Sequence, residues 1–80
     1  MAEGGGMWPR VRDDDLKLAA RACELIGVNR MEVPRLGDSN IRCRLVDMRR
    51  AKYPRVQPGF TPQFNNIATA VNMCYQWANK

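Results

Sequence analysis

Residues 62–78 read PQFNNIATAVNMCYQWA, a stretch without a single charged side chain. Phe64, Ile67, Val71, Cys74 and Ala78 follow alternating steps of three and four, the spacing of one face of an α-helix. Ala68 and Tyr75 lie beside that stripe. Ala70, Met73 and Trp77 widen it to an arc of roughly 220°, leaving Asn65, Thr69, Asn72 and Gln76 as the polar strip. Thr61 before Pro62 predicts the helix start, since threonine accepts from free N–H groups and proline at the first helical position gives up a donor the helix does not use. The arc is wider than one face of a small bundle requires. The surplus predicts a contact outside the chain, a partner protein or a second copy. Ala70, Met73 and Trp77 are the candidate interface residues, methionine adapting its shape and tryptophan supplying a large anchor.

Before this helix, Pro54 to Pro62 holds three prolines and Gly59, a composition that predicts extended or turn-like chain docked by Val56 and Phe60. Before that, Asn40 to Tyr53 predicts a second helix, capped by Asp38, Ser39 or Asn40 and ended by Pro54, which disfavours helix in the residue preceding it. Ile41, Leu45 and Met48 make its buried stripe. Val28 to Ser39 predicts a connection broken by Pro34 and Gly37 and pinned to the core by Val33 and Leu36. The first helix is predicted over Asp14 to Ile26. Leu16, Ala19, Ala20, Cys23 and Ile26 recur at helical spacing, and Leu18, Ala22 and Leu25 widen the face. Lys17, Arg21 and Glu24 form its one polar stripe. Asp13 to Asp15 supply a cap and negative charge at the positive end of the dipole, and Gly27 is placed as its stop. Being apolar over most of its circumference, this helix is expected to be the central one.

The fold class is therefore all-α: a small orthogonal bundle of three helices, or four if Glu32 to Gly37 forms a turn of 3₁₀, with a proline-rich connection before the last helix. Residues 1–7 form a glycine-rich tail and residues 8–80 a single domain. A chain of 80 residues buries only about 60% of the surface its unfolded form exposes, so a thin core is expected. Trp8-Pro9-Arg10-Val11 and Tyr53-Pro54-Arg55-Val56 repeat an aromatic-Pro-Arg-Val pattern, which suits two similar helix approaches with the ring packed on the core.

The net charge of +5 is unevenly spread. Arg30 to Arg55 holds eight basic and three acidic residues, a net of +5 by itself, whereas Val56 to Asn79 is uncharged. Ten of the thirteen basic residues are arginine, whose planar fork suits bidentate phosphate contact. Arg42, Arg49 and Arg50 project into one arc beside the buried stripe of the second helix, with Arg44 and Lys52 on its other flank. With Arg55 they are the candidate contacts to a nucleic-acid backbone or an acidic partner. Tyr53 is placed to stack on a base from the helix end.

The absence of histidine removes the commonest general base and metal ligand. Asp13, Asp14 and Asp15 point in different directions from a helix start and read as capping. No phosphate-cradling, dinucleotide-binding or nucleophile-elbow motif is present. No enzymatic activity, small-molecule substrate, metal or cofactor is expected. Cys23, Cys43 and Cys74 are odd in number and widely spaced, which fits reduced thiols packed against helices in a cytoplasmic or nuclear setting. No stretch approaches the length of a membrane span. The expected function is a non-catalytic protein-interaction or assembly module, its third helix the contact surface and its basic second helix facing an acidic partner or nucleic acid. The alternative is a nucleic-acid-binding domain using Arg30 to Arg55.

Overall fold

The computed structural model describes residues 11–53, 56 and 61–80. Three helices, α1 (Asp13–Leu25), α2 (Val33–Arg49) and α3 (Ile67–Ala78), pack into a small all-α bundle, with no strand among the described residues. Trp8, Pro9, Arg10, Pro54, Arg55 and Phe60 fall outside the described residues, as do the tail and much of the proline-rich connection. Val11, Tyr53 and Val56, the described members of the repeated pattern, all pack against the core.

The expected order of the layers is reversed. The central helix is α3, which packs against both α1 and α2 while those two barely touch each other. An apolar arc of roughly 220° needs cover on two sides, and both covers come from within the chain. Ala70, Val71, Met73 and Cys74 of α3 are buried between Ala19, Ala22, Cys23 and Leu25 of α1 and Ile41, Leu45 and Met48 of α2. The polar stripe Lys17, Arg21 and Glu24 faces solvent.

The helix ends are set by local chemistry. At the start of α1 the Arg12 N–H donates to the Asp15 carboxylate at 3.4 Å, so the aspartates lie inside the first turn and Arg12 holds the cap position. At its end Gly27 adopts φ +72, while Val28 N–H donates to the Cys23 carbonyl at 2.9 Å and Gly27 N–H to that of Glu24 at 3.2 Å. This is a Schellman stop, and it brings buried Val28 onto the core. The same pattern ends α2, where Lys52 N–H reaches the Asp47 carbonyl at 3.0 Å and Ala51 that of Met48 at 2.9 Å. Here the left-handed position is filled by alanine, at φ 57.

Besides the end of α2, which comes at Arg49 rather than at Tyr53 because the chain turns at Ala51 before Pro54 is reached, two boundaries differ from expectation. The predicted irregular connection contains a helical turn, Val33 to Leu36, because Pro34 lies among the first residues of α2, where its missing N–H costs nothing. Leu36 N–H donates to the Glu32 carbonyl at 2.9 Å, an α rather than a 3₁₀ bond. Asn29 and Glu32 cap that turn reciprocally, each side chain accepting from the other's N–H at 3.0 Å. Gly37 then breaks the helix at φ 82, ψ 168, a region open essentially to glycine alone. The Asn40 side chain spans the break by donating to the Leu36 carbonyl at 2.7 Å. The second difference is that α3 starts at Ile67 rather than at Pro62. Asn66, extended at φ −156, accepts from Thr69 N–H at 2.8 Å and out-competes the Thr61-Pro62 signal. Phe64 thus packs on the core from the approach to the helix.

Arg30 ties the connection to the end of α3. Its guanidinium lies 5.4 Å from the centroid of the Trp77 ring and donates to the Trp77 carbonyl at 3.2 Å. Since α3 has no basic residue in its last turn, Arg30 supplies the cation its dipole favours. Arg30→Ala is expected to lower unfolding free energy by about 1 kcal/mol in a urea titration. The two Schellman stops predict opposite responses. Gly27→Ala costs about 1 kcal/mol through the backbone alone, because an added Cβ meets nothing within 4 Å. Ala51→Gly raises stability by about 0.5–1 kcal/mol, read as a higher urea midpoint at unchanged slope.

Candidate cationic surface on the second helix

The second helix turns Ile41, Leu45 and Met48 inward, and this fixes where its arginines point. Arg42 and Arg49 are seven residues apart, so they project within about 20° of each other, and Arg50 follows about 100° further round. All three are exposed. Lys52 is exposed just past the helix end, and Arg44 is half-buried on the opposite flank. Among the described residues, ion pairs join Arg21 to Glu24 and Lys80 to Asp13, and none engages Arg42, Arg44, Arg49, Arg50 or Lys52. Arg55 lies outside the described residues. Arg35, which belongs to the basic stretch but not to the predicted contact set, is also exposed and, among the described residues, outside any ion pair. The local benefit of this charge is small: Arg49 in the last turn of α2 complements its dipole.

Arg42 also edges a groove of about 290 Å³ between α2 and α3, lined by Asp38, Arg42, Ala68, Val71, Asn72 and Tyr75. Beside Ala68 and Val71, its lining holds a cation, a carboxylate, an amide and a phenol. The Tyr75 phenol is pushed above its ordinary value of 10.0, first by desolvation and then by its hydrogen bond to the Asp38 carboxylate and that group's charge. No feature of the sequence marks this pairing, since Asp38 and Tyr75 meet only when α2 and α3 dock.

The predicted interface residues of α3 are placed differently from expectation. Ala70 and Met73 lie in the core, covered by α1 and α2, and do not form an outward contact surface. Trp77 is half-buried under Arg30. The large exposed hydrophobic residue among those described is Met31, at 72% exposure, in the connection rather than on α3. Among the described residues, no cluster of His, Cys, Asp or Glu is placed to hold a metal ion, and no helix is long and apolar enough to cross a membrane. Compared with known proteins, the chain matches no family model, no curated protein and no solved structure.

The raised phenol fixes a sign. A folded-state pKa above the unfolded one means that the neutral phenol favours the fold, a contribution complete below pH about 10 and lost as pH rises through the folded value. In a Tyr53→Phe chain, absorbance at 295 nm is expected to titrate with a midpoint above 10.0, and Asp38→Asn to move that midpoint down.

Proposed function

We propose that this chain is a non-catalytic binding module that takes a nucleic-acid phosphate backbone on the cationic side of α2. The observation that carries the reading is the set Arg42, Arg49 and Arg50, exposed on adjoining sides of one helix with no carboxylate partner among the described residues. A chain holding five exposed or half-exposed cations free of ion pairs over Arg42 to Lys52 gains nothing in stability from most of them, and self-repulsion opposes their clustering. Phosphates spaced along a backbone resolve that repulsion, and arginine reads them through its fork. Recognition of this kind positions the partner without reading its bases.

Assembly through α3, the other reading the sequence offers, loses support with Ala70 and Met73 in the core. It retains only Trp77, half-covered by Arg30. An acidic protein partner would use the same arginines, so it differs from the proposal in what binds rather than where.

The proposal is tested by fluorescence anisotropy with short generic RNA and DNA, single-stranded and duplex, from about 50 to 200 mM salt. Three to five phosphate contacts give a log–log slope between about −2 and −4.5. Replacing Arg42, Arg49 and Arg50 together by Gln should weaken binding alike for every sequence and reduce the steepness by about 2 to 3. Lack of binding at the lowest salt, or a triple variant that binds as the parent does, would sink the proposal. Binding to polyglutamate but to no nucleic acid would transfer the surface to an acidic protein.

A further inference from the structure

Two of the three cysteines meet in the core. Cys23 of α1 and Cys74 of α3 are both fully buried, and their Sγ atoms stand 3.6 Å apart, Cys23 S–H pointing at the Cys74 sulfur. They are 51 positions apart in sequence, on the two helices whose packing closes one half of the bundle. Cys43, by contrast, is exposed on α2.

We infer that Cys23 and Cys74 are an oxidisable pair that closes into an intrachain disulfide, bracing α1 to α3, when the chain meets a peroxide. The contact already has most of what a bridge needs: the sulfurs face each other across one helix interface, and about 1.5 Å of approach completes the bond. The Cys23 S–H stabilises a Cys74 thiolate by hydrogen bonding, which lowers Cys74, while Cys23 is pushed up by the same contact together with its burial. The same disulfide results whichever sulfur is oxidised first; the course with Cys74 first is representative.

The steps balance with hydrogen peroxide as the oxidant. The Cys74 thiolate attacks one peroxide oxygen, the O–O bond breaks, and hydroxide leaves a sulfenic acid on Cys74. The Cys23 thiolate then attacks that sulfur, the S–S bond forms, the S–O bond breaks, and a second hydroxide leaves. The two hydroxides take the two thiol protons as water, so two thiols are oxidised and one peroxide is reduced. Because both sulfurs are buried, the first step needs a local opening and runs more slowly than attack at exposed Cys43.

Trypsin separates the three cysteines, since cleavage after Arg21, Arg30, Arg42, Arg44 and Arg55 leaves Cys23 in residues 22–30, Cys43 in 43–44 and Cys74 in 56–80. The full-length chain is treated with peroxide, unfolded, alkylated and mapped without reductant. The expected product joins 22–30 to 56–80 with the loss of two hydrogens. In a Cys43→Ser chain the same treatment should raise the thermal midpoint by at least about 5 °C, reversed by dithiothreitol and absent when Cys23 is also replaced by Ala. Recovery of both Cys23 and Cys74 as alkylated thiols, in a sample whose Cys43 has been oxidised, would overturn the inference. So would a joined product whose midpoint is unchanged or lower, since the bond would then not be a brace.

Discussion

The structure depends on one constraint: a helix without charge, apolar over most of its circumference, has to be enclosed on two sides. The enclosing surfaces are the alanine-rich face of α1 and the Ile41, Leu45 and Met48 stripe of α2. Small residues on α1 let it approach α3 closely, while the longer side chains of α2 fill the other side. The outer strip of α3 is then Gln76, exposed, with Thr69 and Asn72 half-buried beside it. The described basic residues are excluded from the interior, and the described residues contain no buried polar or charged side chain. The cationic surface is a consequence of this sorting as well as of composition. Charge placed between Arg30 and Lys52 has nowhere to go but the outer sides of α2, the connection before it and the turn after it.

The second organising element is the backbone at Gly27, Gly37 and Ala51, where φ is positive. Each marks a place where a helical turn is stopped or redirected so that an apolar residue reaches the core. Gly27 sends Val28 inward, and Gly37 separates the turn bearing Val33 from the main length of α2. Arg30 closes the loop so formed by covering Trp77. One side chain thus serves both the folding of the connection and the capping of α3.

Much of this was legible from residue order. The limits of α1, its stop at Gly27, the inward stripe of α2 and the outward position of its arginines follow from period and punctuation. Pro34 was ambiguous because proline breaks a helix in its interior yet suits its first turn, and only the Asn29–Glu32 cap decides between them. The start of α3 is ambiguous in the sequence because Thr61-Pro62 and Asn66 are both good start signals five residues apart, and in the fold the Asn66 side chain takes the cap. The breadth of the apolar arc on α3 was visible, but a pattern reports how much cover a helix needs and not which chain provides it. The meeting of Cys23 with Cys74, and of Asp38 with Tyr75, depends on the relative rotation of docked helices, which no single-helix period contains.

Because α1 and α2 touch each other so little, the order of synthesis matters. Each of the two helices has its main apolar partner only once residues 67–78 exist, so the first four-fifths of the chain lacks the centre of the core as it emerges. Collapse has to wait for the last helix, and the contacts that then form span most of the sequence, which slows folding relative to a bundle of sequential neighbours. During that interval, the apolar stripes of α1 and α2 are open while the arginines of the second stretch are already displayed. Mutual repulsion among those cations would keep nascent or unfolded copies apart, so the basic stretch also protects the chain from aggregation while it lacks its centre.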